Sequence, residues 1–498
     1  MSSLATEESK PPASTDNVAA VAGRGAIYIT IAKLWFIVSG YGIGVTLTYL
    51  LSAEDYGIYR IVINTVSIIN AVIVTGTYQT VSKYVSQDPE NAASIKSQAL
   101  KLQVFVGGVA TLGFFLLAPV TASLLNDGRL TIYLRIAALI TLSYSFYSVY
   151  TGYFNGKRAF GIQAGLDIAY STLKLGFIVL LAWLGFGVKG SVGGFAIAAA
   201  CVLGISVLLA RGGNGQSSKQ PVQLFKFQSY VLLFTFVLTL LQRVDLILIK
   251  ALSSADATKA SENAGFYSAS ADVANITYQI IASVTFVIFP LISQSTFSDD
   301  RSRTRGYIAN TLRYTLMIMA LTATLFSAEA ARVLGIIYKE AYQAGAPSLR
   351  VLAIGILFFG LLFVLTTIIT ASGQPRISLT IAALTLIVSA ALNALLIPGY
   401  GLPGAALATS VAMFLGTLLA VGYLWKRFGA FVSMLSIVRI VASAAAVYGA
   451  SFIFSPKSKV MIIAELAMLS IAYLVALVVS GEFGRAELRL ISKVLKRS

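Results

Sequence analysis

The sequence predicts an all-α polytopic membrane protein. About fourteen transmembrane helices form two parallel six-helix repeats, an N-lobe and a C-lobe, followed by two C-terminal helices. Three observations predict it. The residues are 57% hydrophobic and 11% charged, with a mean hydropathy of +0.82, whereas a soluble domain carries about 25% charged residues. Apolar runs of about 20 residues, the length that crosses a bilayer, follow one another along nearly the whole chain. Short motifs also recur in order. Glu262-Asn263-Ala264-Gly265-Phe266-Tyr267-Ser268 echoes Glu54-Asp55-Tyr56-Gly57-Ile58-Tyr59-Arg60, Gly401-Leu402-Pro403-Gly404 echoes Gly187-Val188-Lys189-Gly190, and Ser372-Gly373-Gln374-Pro375-Arg376 echoes Asn155-Gly156-Lys157-Arg158. An even number of helices separates the copies, so both repeats insert the same way round, related by an axis along the membrane normal.

Residues 1–25 are polar and Ser/Ala/Pro-rich. That composition suits a disordered cytoplasmic tail, not a signal peptide, and makes the first span an uncleaved insertion signal. N-lobe spans are expected near 26–51, 57–82, 100–124, 131–154, 160–184 and 188–210. The Gly/Ser-rich stretch within 211–226 reads as a cytoplasmic linker; it follows no strand and lacks a Lys-Ser/Thr ending, so it is not a phosphate loop. C-lobe spans are expected near 227–250, 264–290, 306–327, 348–371, 377–397 and 403–424, then two further helices near 434–454 and 460–480, and a basic cytoplasmic tail over 481–498. With the N-terminus inside, inner segments hold roughly twice as many Lys and Arg as outer ones, which places both termini in the cytoplasm.

The formal charge of +17 belongs to these loops. No basic soluble domain exists to bind nucleic acid. With no histidine and one cysteine, Cys201, the chain excludes internal disulfides, Cys/His zinc sites and His-based triads. All loops are too short to carry a glycosyltransferase or polymerase catalytic domain, so no enzyme is expected. Asn275-Ile276-Thr277 matches a glycosylation sequon but lies mid-span.

Function should lie in the charges set within apolar runs, because such residues are expensive in lipid. Arg243 and Asp245 fall inside the seventh span; at i, i+2 they point to different faces. Asp272, Asn275 and Gln279 share one face of the eighth, extended by Ser268, and Arg60, Asn64 and Ser67 lie at corresponding places in the second. A substrate or proton site and a buried ion-pair clasp both fit an Asp–Arg network across spans one, two, seven and eight. Lys174, with Asp167 and Ser171 on its face of the fifth span, is about 14 residues in, roughly 20 Å, too deep to snorkel easily, so it should face a cavity or an acidic partner on another helix. Lys33, about seven residues into the first span, can snorkel or face the interior. Tyr144 and Tyr147 read either as an interfacial belt or as a platform on which sugar rings stack.

Taken together, the six-plus-six-plus-two pattern, the Glu54-Asp55-Tyr56-Gly57-Ile58-Tyr59 motif, Gly152-Tyr153-Phe154-Asn155-Gly156, and Arg243-Val244-Asp245 leading to Gly265-Phe266-Tyr267 resemble the polysaccharide flippases of the multidrug/oligosaccharidyl-lipid/polysaccharide exporter superfamily, over roughly residues 24–480. The resemblance implies a V-shaped pair of lobes in the cell membrane, working by alternating access on a polyprenyl-pyrophosphate-linked oligosaccharide beside polysaccharide polymerases or glycosyltransferases. The residue roles come from physical need and not from the resemblance: a pyrophosphate head needs cations, for which Lys33, Lys174 and Arg243 are the candidates, Arg60, Asn64, Asn275, Gln279, Tyr144 and Tyr147 would complete the cavity, and Asp245 and Asp272 would couple to H⁺ or Na⁺ or balance charge. No other cofactor and no metal centre is implied. The alternatives are a cation-coupled multidrug exporter and a lipid-linked murein precursor flippase.

Overall fold

A computed structural model describes residues 15–210, 235–297, 300–454 and 458–484. The expected linker 211–226, the start of the expected seventh span and the tail beyond 484 lie outside the described residues. Among the described residues the chain is helical, without strands. The N-terminal half comprises α1 (Thr15–Leu50), α2 (Ala53–Gln87), α3 (Ala92–Leu124), α4 (Leu130–Gly156), α5 (Phe160–Leu181) and α6 (Gly187–Leu209). Then follow α7 (Val244–Leu252), α8 (Ala257–Phe297), α9 (Arg301–Ala328), the short α10 (Ala330–Ile337), α11 (Ala346–Ala371), α12 (Pro375–Phe428), α13 (Met434–Ser451) and α14 (Lys459–Val479). α1 begins at Thr15, inside the stretch expected to be a tail; the alanines between 19 and 26 are strong helix formers and carry the helix back.

Local chemistry sets the helix ends. Ser52 caps α2 by accepting from the Asp55 N–H, and Glu54 and Asp55 complement the dipole in the first turn. Ser433 and Ser458 cap α13 and α14 in the same way. Among the described residues ten segments are long and apolar enough to cross a bilayer. Two of these, Phe160–Leu209 and Pro375–Phe428, are broken in the middle: at 54 residues the second would be about 80 Å long if straight, far beyond a core about 30 Å thick. The breaks fall at Gly187 (φ 55°, ψ −138°) and Gly401 (φ 58°, ψ −136°). The two loops that match in sequence thus share one backbone geometry, which glycine adopts without steric penalty.

Helices α1 to α6 pack as one bundle, with α2, α3 and α6 around α4 and with α1 on α5; α7 to α12 form a second, with α8, α9 and α12 around α11. The bundles meet chiefly where α2 crosses α8. At the crossing Gly57 and Gly265 face each other: a Cβ on Gly57 would lie 1.7 Å from the Ser261 carbonyl oxygen, and one on Gly265 2.7 Å from that of Ala53. Tyr56 packs edge-on against Tyr342 at the same end, with ring centroids 5.6 Å apart.

The last two helices lie outside this seam, against α9. Ile440, Leu469 and Tyr473 pack on Met317 and Leu325, and the Tyr473 hydroxyl donates to the Met317 carbonyl at 3.0 Å. Glu482, whose side chain is 1% exposed, pairs with Arg313 at 2.6 Å and Arg439 at 3.7 Å. Removing one partner of a fully buried pair costs about 3–5 kcal/mol. Both arginines here reach solvent, so Glu482→Gln should cost about 2 kcal/mol. The expected result is a thermal midpoint lowered by a few degrees in detergent and faster hydrogen exchange across 459–479. Unchanged exchange there would show that the apolar contact alone docks these helices.

Candidate functional site

Just past the Gly57–Gly265 crossing the seam widens into a cavity of about 320 Å³. Its walls come from both bundles: α1, α2 and Lys174 of α5 on one side, and residues 241–246, α8, α11 and α12 on the other. Of the residues expected from sequence, Arg60, Asn64, Lys174, Arg243, Asp245, Asp272, Asn275 and Gln279 line it. The polar faces of α2 and α8 are therefore turned toward one space, as helices with such faces must be if lipid is to be avoided.

Arg60 and Asp272 pair across the seam, Nη2 to Oδ1, at 2.6 Å. The Tyr41 hydroxyl donates to the Asp272 carbonyl at 3.1 Å, tying α1 to the same turn of α8. Arg60 Nε is buried with no partner among the described residues, so the guanidinium keeps donors to spare. Asn64 and Asn275 each donate one amide N–H to their own helix, to the carbonyls of Arg60 and Ala271, both at 2.7 Å. That leaves each amide an oxygen and a second N–H for a ligand.

The other two cations have no carboxylate partner among the described residues. Lys174 Nζ lies over three rings, 4.2 Å from the centroid of Phe195, 5.9 Å from Tyr170 and 6.0 Å from Phe36. The rings hold the ammonium electrostatically without neutralising it. Arg243 stands at a break. The expected seventh span is not continuous: residues 235–241 are helical, 242 and 243 form a turn, and α7 starts at Val244. The correction has a physical reason, because irregular backbone at membrane depth is tolerated where it lines a cavity. Arg60, Lys174 and Arg243 face Asp245 and Asp272, which leaves one positive charge in excess.

Asp245 is held apart from this mixture. Its carboxylate accepts from the Leu246 N–H at 2.8 Å and the Tyr267 hydroxyl at 2.7 Å, with Thr409 Oγ1 at 3.5 Å. Behind Thr409 stands Asn393, whose Nδ2 donates to Oγ1 at 3.3 Å while its Oδ1 is buried with no partner among the described residues. Asn393 and Thr409 were not picked out from sequence, and Tyr267 stood there only as part of a motif. The available signal was Ser389 and Asn393 at i, i+4 in an apolar run, which marks a polar face but not its partner.

Three expected cavity residues lie elsewhere. Lys33 is exposed on α1, outside the cavity and within electrostatic reach of Asp167. Tyr144 and Tyr147 are not a cavity platform but part of an aromatic cluster within the N-terminal bundle. Tyr144 packs edge-on against Tyr170 and Phe195, with centroids 5.3 and 6.1 Å away. The Tyr147 hydroxyl donates to Asp167 Oδ1 at 3.1 Å. Because α4 is surrounded by α2, α3 and α6, its inner face has rings as neighbours instead of a cavity.

Residues 46–347 match the family described as polysaccharide biosynthesis protein. An uncharacterized membrane protein of Methanocaldococcus jannaschii is 26% identical over 152 residues, 30% of this chain and only 30% of that relative's length. Among solved structures, the fold is similar to the lipid II flippase MurJ in an inward closed conformation (TM-score 0.73, 13% identity, 90% of this chain and 98% of that one). It is also similar to a multidrug resistance MATE family transporter of the MOP superfamily, in its inward-facing form (TM-score 0.66, 12% identity, 81% and 98%) and in an outward-facing form (TM-score 0.60, 13% identity, 81% and 95%).

Proposed function

Because the chain belongs to the polysaccharide biosynthesis protein family, we propose that it is a flippase of the multidrug/oligosaccharidyl-lipid/polysaccharide exporter superfamily that carries a polyprenyl-pyrophosphate-linked oligosaccharide from the inner to the outer leaflet of the cell membrane by alternating access. The observation that carries this reading is the pair Lys174 and Arg243. One cation from each bundle faces the cavity, and neither has a carboxylate partner among the described residues. A pyrophosphate in a low-dielectric cleft needs cations of this kind, and Arg offers a planar fork that suits phosphate. Asn64, Asn275 and Gln279 supply donors and acceptors for sugar hydroxyls. Both termini are cytoplasmic in this reading, so the closed Gly57–Gly265 end is the outer one. The cationic excess disfavours an exporter of organic cations.

Asp245 is our candidate for coupling to H⁺ or Na⁺. The carboxylate, Thr409 Oγ1 and the unpartnered Asn393 Oδ1 are hard oxygen donors gathered within the C-terminal bundle. Asp245→Asn is expected to reduce gradient-driven flipping at least about tenfold, that is by about 1.4 kcal/mol or more, while exchange without a gradient persists. The assay uses proteoliposomes and a fluorescent undecaprenyl-pyrophosphate disaccharide, with H⁺ and Na⁺ gradients imposed separately. If neither gradient affects the wild-type chain, coupling at Asp245 is wrong. If the pyrophosphate probe moves no faster than a neutral glycolipid, the substrate reading is wrong.

A further inference from the structure

The closed end of the seam also buries charge between the bundles. The side chain of Lys250, in the last turn of α7, is 0% exposed. Its ammonium uses all three donors, on Asp127 Oδ2 at 2.9 Å, the Ala257 carbonyl at 2.9 Å and Ser261 Oγ at 2.7 Å. Asp127 sits in the loop between α3 and α4 with its side chain 2% exposed, so this pair joins one bundle to the other. Arg129 grips the same carboxylate through Nε at 2.9 Å and Nη2 at 3.0 Å, and reaches Glu54 Oε1 through Nη1 at 2.6 Å. Glu54 in turn accepts from Thr258 Oγ1 of α8 at 3.0 Å. Asn126 crosses the same gap, donating to the Ala251 carbonyl at 3.2 Å. The signs alternate along the row: Lys250, Asp127, Arg129, Glu54.

We propose that this row of alternating charges, centred on Lys250, is the latch that keeps the closed mouth of the cavity shut, and that the mouth opens when Lys250 leaves Asp127. The proposal takes the alternating-access reading as its premise. In the closed form Lys250 and Asp127 are dry, so each depends on the other. In the open form water reaches both, and hydration replaces the pair. Removing one partner therefore strands a charge in the closed form alone and shifts the population toward the open one. Burial pushes the Asp127 carboxyl up, but hydrogen bonds from Arg129 and Lys250 overcome this and hold it below its ordinary range. The Asp127 carboxylate is thus charged at neutral pH, and its share of the latch is lost as pH falls through that lowered value.

The competing explanation is that Lys250 merely staples the turn between α7 and α8, since two of its three bonds stay within that hairpin. A double-mutant cycle separates the two. Spin labels are placed at Ser123→Cys and Ala255→Cys, one exposed site on each bundle near this end, in the full chain carrying Cys201→Ala, in lipid nanodiscs without substrate. A second pair at Ser123→Cys and Lys157→Cys, both on the N-terminal bundle, reports folding. Asp127→Asn is expected to raise the open-to-closed ratio at least tenfold, and adding Lys250→Met, which removes the stranded charge, is expected to reverse most of that shift. A staple predicts that Asp127→Asn leaves the distance alone; that result, with the folding pair unchanged, overturns the latch. Should Asp127→Asn disturb the folding pair, Glu54→Gln at the more exposed end of the row decides instead, a shift toward the open distance supporting the latch and no shift overturning it. A chain that moves some other cargo would give the same distances, so this outcome is independent of the export assay.

Discussion

Arg243→Ala is expected to lower export of the lipid-linked glycan by roughly two orders of magnitude, with the protein still present in the membrane at its normal level. Lys174→Ala should do the same to a lesser degree. Truncating one member of a buried, hydrogen-bonded charge pair costs about 2–5 kcal/mol, and each 1.4 kcal/mol is about a tenfold change. Arg243 has the larger effect because its fork can hold two phosphate oxygens at once, whereas Lys174 is a point charge. Folding should tolerate both changes. Neither side chain closes an ion pair among the described residues, so removal relieves an uncompensated cation instead of stranding a partner. Arg60 differs: Arg60→Ala would leave Asp272 unpaired beside the cavity, so export lost in that variant mixes binding with structure. The measurement is surface glycan in a strain lacking the native flippase, with membrane-fraction abundance as control. Wild-type export in both Arg243→Ala and Lys174→Ala would remove the proposed anion site.

Much of this cavity was legible in the sequence because the signal was local. A polar residue repeated at i, i+3 or i+4 in an apolar helix has few places to go, and the faces of α2 and α8 went there. What failed was long-range. Tyr144 and Tyr147 have the composition of a sugar platform, but whether a ring meets a ligand or another ring depends on Tyr170 and Phe195, on two other helices. Lys33 was ambiguous for the same reason: depth along a helix says nothing of which way the helix is rotated. The shell of Asp245 joins residues from α7, α8 and α12, and the row from Glu54 to Lys250 joins two helix ends and a loop whose residues look like ordinary solvated charge. In each case the chemistry was visible residue by residue, while the pairing was set by how helices pack.

The duplicated glycine gives the second large prediction. Gly57 and Gly265 occupy matching places in the two copies of one motif, and in the fold these two residues touch. A Cβ on Gly57 would stand 1.7 Å from the Ser261 carbonyl oxygen and 2.6 Å from its carbon. The obstacles are backbone atoms inside α8, so no rotamer change can clear them; the helices must separate. Overpacking of this kind costs about 1–3 kcal/mol, sometimes more, and here the cost falls only on the form in which α2 and α8 are crossed. Gly57→Ala should therefore lower the closed-to-open ratio at this mouth about 5- to 150-fold and reduce export severely, because a carrier that cannot close one side cannot return for a second load. Gly265→Ala should act the same way but more weakly, its nearest obstacle being the Ala53 carbonyl oxygen at 2.7 Å. Gly108→Ala is the control: a Cβ there meets nothing within 4 Å, and export should be unaffected. The distance between labels at Ser123→Cys and Ala255→Cys reads the shift directly. If Gly57→Ala leaves both that distance and export unchanged, the crossing yields without opening the mouth, and closure must be assigned to the charged row alone.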